Sequence, residues 1–199
     1  MAGNRAAWGT ISREHVVAAA TRIVRAGGYE DMTIRSLASD LGVAPMSLYR
    51  HVRDKDDILD EVVDRLLARV WRPSVSEDEW EDWITEAADK LRHFLVVQPA
   101  AMHIYLQHPV VTSAAISRMH AMMDVLRCAL PNDDIAWRAY ATIHTYTVGF
   151  AALESSRSRW TPVHDNPDNP DDLAVQLATY TTRVQFIDGM RSLLRGIQC

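Results

Sequence analysis

Between Thr33 and Lys55 the chain concentrates groups that can hold a phosphate or read a base edge. Arg35, Ser47, Tyr49, Arg50, His51 and Lys55 all fall within TIRSLASDLGVAPMSLYRHVRDK. Hydroxyls and cations donate hydrogen bonds to phosphate oxygens, and an arginine can donate two at once to a guanine edge. That chemistry needs the donors on one face, and the apolar residues of the same run supply the order. Leu37, Ala38 and Leu41 give a short helix one apolar side. Thr33 is placed to cap it through its side-chain oxygen. Gly42 stands where the chain must turn sharply, and glycine enters a left-handed conformation at little steric cost. Val43, Leu48 and Val52 then point inward, leaving Pro45, Met46, Ser47, Tyr49, Arg50 and His51 outward. Two short helices about a tight turn make a helix-turn-helix, whose second helix enters the major groove of DNA.

The surrounding elements must hold that motif in place. A first helix is expected from Ser12 to about Ala26. Ser12 is its N-cap, Ile11 and Val16 are spaced as a hydrophobic staple, and Gly27 and Gly28 stop it. After the motif, Asp54 can cap a long fourth helix. Ile58, Leu59, Val62, Val63, Leu66, Leu67 and Val70 recur along it at helical spacing, and Pro73 ends it. A second region follows. Ser76 and Glu79 have capping-box spacing before a helix running to about Val97. Pro99 and Pro109 bracket a short helical segment. Further helices are expected at about Val111 to Leu130, Asp133 to Arg159 and Asp171 to Ile197, with TPVHDNPDNP as a polar loop before the last. No segment reads as a strand, so the fold class is all-α.

Composition narrows the function classes. Net charge is −5, which suits DNA poorly until it is divided along the chain. Residues 1–55 hold eight Lys or Arg against five Asp or Glu, a balance of +3, which leaves −8 for the remainder. A basic head on an acidic body fits a protein with one end on phosphate. No apolar run approaches the roughly 20 residues that span a bilayer. The opening MAGNRAAWGT lacks the apolar stretch of a signal peptide. Cys128 and Cys199 are the only cysteines, and both are expected as free thiols, Cys128 buried. A cytoplasmic location with no membrane partner is expected.

From Ser12 to Trp71 the chain resembles the DNA-binding domain of the tetracycline-repressor (TetR) family. The resemblance is carried by SREHVVAAATRIVRAGGYE, TIRSLASDLGV and MSLYRHVRDKDDILD in that order, followed by an amphipathic helix. It implies a flexible arm at 1–11, a helix-turn-helix domain with its bridge helix at 12–71, and a ligand-binding and dimerisation domain at 72–199. It places Lys55, Tyr49 and His51 at backbone-contact positions on double-stranded DNA. Beside these, the residue types themselves suggest hydroxyls of Thr33 and Ser47 near phosphate. They suggest Arg35 on a base, with Pro45 and Met46 opening the reading helix and Arg50 as a further cation. The resemblance also implies a homodimer in which the last two long helices pair with their partner copies. Both helices suit that role, with Ile135, Ala139, Ile143, Tyr146, Val148, Phe150 and Leu153 on one. The other carries a seam of Leu173, Leu177, Tyr180, Val184, Ile187, Leu194 and Ile197.

The second region is rich in surface that can adapt to an organic effector. Trp71, Trp83, Met102, Tyr105, Met122, Trp137 and Tyr140 supply aromatic and thioether contact, with His103, His144 and Glu154 as polar anchors. Most of these side chains must also serve as ordinary core. Among tetracycline-binding members of the family, His103 aligns with a magnesium-ligand histidine and Glu154 with a metal-associated glutamate. Trp71, however, stands where those members carry a drug-contacting histidine, which weighs against a metal chelate. No resident cofactor or metal is expected. The expectation is a repressor released from its operator by a small, largely hydrophobic molecule. A constitutive DNA-binding dimer is the alternative. A helical metal-dependent enzyme is a distant third, because the sequence contains neither HExxH nor GxxxxGK[ST].

Overall fold

A computed structural model describes residues 11–68, 71, 79–107, 112–158 and 180–197. Among them the chain is helical throughout, with turns between the helices. In order they are α1 (Arg13–Gly27), α2 (Ile34–Leu41), α3 (Pro45–Leu48), α4 (Lys55–Leu67), α5 (Trp80–Val97), α6 (Pro99–Gln107), α7 (Ser113–Ala129), α8 (Asp133–Ser158) and α9 (Arg183–Ile197).

Local chemistry sets the helix starts. Ser12 caps α1: its hydroxyl accepts from the His15 amide at 3.3 Å while His15 Nδ1 accepts from the Ser12 amide at 3.4 Å. Thr33 and Ser36 make the same reciprocal arrangement at α2. Asp54 accepts from the Asp57 amide at 2.8 Å as α4 begins, and Asn132 accepts from the Ile135 amide at 3.0 Å as α8 begins. Each satisfies an amide that the first helical turn would otherwise leave unpaired. The Ser76–Glu79 capping box cannot be followed, since Ser76 lies outside the described residues; Glu79 itself takes the N-cap position of α5 without a side-chain cap.

Two compact units emerge. One comprises Met1–Leu66 together with Pro99–Thr112, so α6 belongs with the helix-turn-helix. Its interior contains Val16, Val17, Ala20, Met32, Leu37, Leu48, Val52, Ile58, Leu59 and Val62, all buried. The other comprises Leu67–Gln98 and Ser113–Cys199. Its core joins Trp83, Ile84 and Ala87 of α5, Met122, Met123 and Leu126 of α7, Ala139 and Ile143 of α8, and Phe186, Met190 and Leu194 of α9.

Three expectations need correction. The last helix does not run unbroken through residues 180–182: Tyr180 and Thr181 form a turn and bend, and Thr182 accepts from the Gln185 amide to start α9. A hydroxyl that can bond its own backbone favours a helix start over a helix interior. Leu173 and Leu177 lie outside the described residues. The inward face of α9 is Phe186, Met190 and Leu194, while Val184, assigned to the same seam as Leu194, is 69% exposed. Finally, Cys128 is exposed, because the buried stripe of α7 passes through Met122, Met123, Val125 and Leu126.

Candidate nucleic-acid interface

The turn between α2 and α3 is built as its residues require. Gly42 sits at φ 68°, ψ 34° in the left-handed region, and the Val43 amide reaches back to the Ala38 carbonyl at 3.0 Å. This is the backbone pattern that closes a helix through a left-handed residue. Pro45 then opens α3, where its missing amide costs nothing. Leu48 and Val52 are buried, so the outward side of the reading segment is Pro45, Met46, Tyr49 and Arg50, with Ser47 and His51 half-buried. Met46 is 75% exposed at its tip.

An arginine that the spacing did not single out fastens this segment. Arg13, the first residue of α1, donates to the His51 carbonyl at 2.7 Å, closing the end of the reading turn. The same guanidinium grips Asp57 of α4 with two hydrogen bonds of 2.8 and 3.0 Å and reaches Glu61 at 2.5 Å. Asp57 also accepts from the Arg53 amide at 2.9 Å. The Arg13 hydrogen bond is the main reason the Asp57 carboxyl is held well below the usual carboxylate range, burial opposing it and the Arg53 bonds helping. A planar donor fork matched to a carboxylate is geometry that lysine cannot reproduce. The only sequence signal was an arginine at a helix start and two acids four residues apart on another helix.

The polar and basic side chains of this unit divide into those already paired and those without an ion pair. The Thr33 hydroxyl is occupied as a cap, accepting from the Ser36 amide at 3.0 Å. Arg22 pairs with Asp40 at 2.6 Å and Arg53 with Asp57 at 3.2 Å. Arg35 and Arg50 are exposed and form no ion pair among the described residues. The Lys55 ammonium lies 4.2 Å from the centre of the Tyr29 ring.

The residues considered for an effector are distributed over both units. Met102 is buried, Tyr105 half-buried, and His103 packs its ring 4.2 Å from that of Tyr29, all in the first unit. In the second, Trp71 meets Trp83 edge-on at 6.1 Å, and Trp83 and Met122 are core residues. Trp137, Tyr140 and His144 form a row along α8. Trp137 meets Tyr140 edge-on at 6.2 Å, and Tyr140 stacks on His144 at 5.8 Å and 21°. Burial pushes the His144 imidazole down toward its neutral form and the Tyr140 hydroxyl up, with Arg118 opposing the latter. Glu154 accepts from Arg92 at 2.5 Å, and Arg92, almost fully buried, also pairs with Asp89 at 2.8 Å. Asp89 in turn takes Arg183 of α9 at 2.7 Å. Glu154 therefore has a structural partner that links α5 to α8. Among the described residues, no cluster of three or more His, Cys, Asp or Glu side chains could hold a metal ion.

A helix-turn-helix unit with exposed arginines and a second helical unit define a helical DNA-binding regulator, and comparison with known proteins gives the family. Residues 16–62 match the model of bacterial regulatory proteins of the tetR family, and residues 72–196 match the tetracyclin repressor-like C-terminal domain. The chain belongs to the TetR family of DNA-binding transcriptional regulators. It is 28% identical over 145 residues to an HTH-type transcriptional regulator of Saccharopolyspora erythraea, covering 73% of this chain and 61% of that one. The chain thus spans about three fifths of that relative's length. ActR from Streptomyces coelicolor, solved in its apo form, superposes with a TM-score of 0.77 at 22% identity, covering 96% of this chain and 97% of its own. BioQ solved with its natural double-stranded DNA operator superposes with a TM-score of 0.68 at 25% identity, covering 96% and 99%. No helix among the described residues is long and apolar enough to cross a membrane.

Proposed function

We propose that the protein is a homodimeric repressor that sits on a two-fold related operator and leaves it when a small, largely apolar molecule occupies the second unit. The observation that carries the reading is the exposed face of the helix-turn-helix. Arg35, Met46, Tyr49 and Arg50 are all exposed, and neither arginine has an ion-pair partner among the described residues. Exposed cations without an ion-pair partner need no internal bond broken before they meet phosphate or a guanine edge. Lys55, Tyr49 and His51 hold the DNA backbone, Arg35 reads a base, and Met46 meets a thymine methyl. A relation to BioQ, solved on its operator, supports the DNA partner.

For the effector, the supporting feature is the aromatic row Trp137, Tyr140 and His144 on α8, which presents ring faces and an imidazole that burial pushes toward its neutral form. Such a row suits a planar organic molecule with a hydrogen-bonding edge. ActR, which shares the fold, has been solved with actinorhodin, a precedent for an organic ligand on this scaffold. A ligand that fits one arrangement of the second unit shifts the dimer toward it, and coupling of about 1–3 kcal/mol changes operator affinity roughly 5–150-fold.

Gel-shift titrations at several salt concentrations test the DNA surface. Lys55→Ala should weaken binding to every sequence and lower the salt slope by about 1. Tyr49→Phe should weaken all sequences alike. Arg35→Ala should relax preference at one base pair per half-site, at a cost of roughly 1–3 kcal/mol. Wild-type behaviour of all these variants would refute the assigned surface.

A further inference from the structure

Tyr29 follows the stop of α1, where Gly28 takes φ 91° and redirects the chain. Its ring serves two neighbours from distant parts of the sequence. The Lys55 ammonium at the start of α4 lies 4.2 Å from the ring centre. His103 of α6 lies with its ring centre also 4.2 Å away, the two planes tilted by 43°. All three residues belong to the first unit.

Lysine carries its charge on a flexible four-carbon stem and loses much rotamer freedom when it must meet a phosphate. An ammonium drawn to an aromatic face is partly localised before DNA arrives. Lys55 forms no ion pair among the described residues, so the ring is its recorded anchor. The ring in turn is packed by His103 of α6, and beyond that helix the Thr112 hydroxyl donates to Asp64 of α4. The chain on either side of Pro99–Thr112 belongs to the second unit.

We propose that Tyr29 is a positioning residue for Lys55, and that His103, sharing the same ring, makes the strength of the phosphate contact depend on where α6 stands. This rests on the reading of Lys55 as a phosphate contact. Displacement of His103 frees the Tyr29 ring to swing, and Lys55 then reaches phosphate from a wider set of rotamers.

The test is a double-mutant cycle read by fluorescence anisotropy across a salt series. The probe is a duplex selected from random sequence by the wild-type protein. Tyr29→Leu and His103→Ala should each weaken binding roughly 2- to 5-fold, the size of a modest cation–π contribution. Tyr29→Phe, which keeps the ring, should bind as wild type. In a Lys55→Ala background the Tyr29→Leu and His103→Ala effects should vanish. Effects that persist undiminished in that background would mean the ring merely supports the fold, and would overturn the proposal. So would wild-type binding by both single variants while Lys55→Ala is impaired. Wild-type binding by Lys55→Ala itself would overturn the underlying phosphate contact. Should Tyr29→Leu fail to fold, His103→Ala and its double variant carry the same cycle.

Discussion

Arg13 and Asp57 carry more of the head's geometry than any residue on its exposed face. Their two-point contact joins α1 to α4, and the Arg13 Nη1 that bonds Asp57 also donates to the His51 carbonyl at the end of the reading turn. Asp57→Asn should destabilise the protein by about 1.5–3 kcal/mol, as expected for a charged hydrogen-bonded pair, measured by urea unfolding. The pH dependence follows from the depressed Asp57 carboxyl. Its stabilising contribution is complete above the ordinary carboxylate value near 3.8 and is lost as pH falls through the lower folded value. Wild type should therefore lose this increment on acidification below about pH 4, while Asp57→Asn should show a flatter acid limb. His144 acts in a higher window. Burial lowers its folded value below 6.5, so the fold favours the neutral ring, and stability falls as pH drops through 6.5 toward the lower folded value. His144→Gln should reduce that loss in a thermal-melt series from pH 7.5 to about 5.5. An unchanged pH profile would show that His144 does not set it.

At the scale of helices, two glycines have opposite reasons to be glycine. Gly42 has open space around the place a Cβ would occupy, so Gly42→Ala is penalised by its left-handed backbone alone. The cost should be about 1–2 kcal/mol in thermal or urea unfolding. Gly189 of α9 is crowded instead, since a Cβ there would collide with the Tyr146 hydroxyl of α8. Gly189→Ala should cost roughly 1–3 kcal/mol through forced separation of the two helices. Tyr146→Phe in the same chain should recover part of it, and no recovery would place the strain elsewhere. The contrast also marks what could be read before the fold was seen. Gly42 was legible because turn chemistry is local: a capped helix, a glycine and a following proline lie within a dozen residues. The same holds for Ser12, Thr33 and Asp54 as caps. Gly189 and Tyr146 were not legible, because their contact depends on how two helices cross. Arg92 with Glu154, and Arg13 with Asp57, escaped for the same reason: each pair is separated by tens of residues. On the last helix, apolar spacing alone could not tell the inward Leu194 from the outward Val184.

For the whole molecule, the proposed dimer and the charge division make separate predictions. Val184, Leu153 and Tyr180 are exposed apolar side chains on or beside α8 and α9, the helices proposed to pair. Val184→Glu should weaken self-association by about 2–3 kcal/mol if an unpartnered carboxylate becomes buried, as read by sedimentation equilibrium. An unchanged dimer would move the interface away from this face. Operator affinity should fall with salt more steeply for the dimer than for such a variant, because each head releases its own counterions. The membership of Pro99–Thr112 in the first unit carries a last consequence, for biosynthesis and for protein engineering alike. A single cut after α4 would separate the amino-terminal helices from α6. A fragment ending at residue 71 leaves out α6, and with it the packing on Tyr29 and the bond to Asp64. During translation the head is likewise incomplete until Thr112 has cleared the ribosome, by which time α5 has already emerged. Chimeras that exchange heads between relatives should therefore carry this short insert along with the amino-terminal helices.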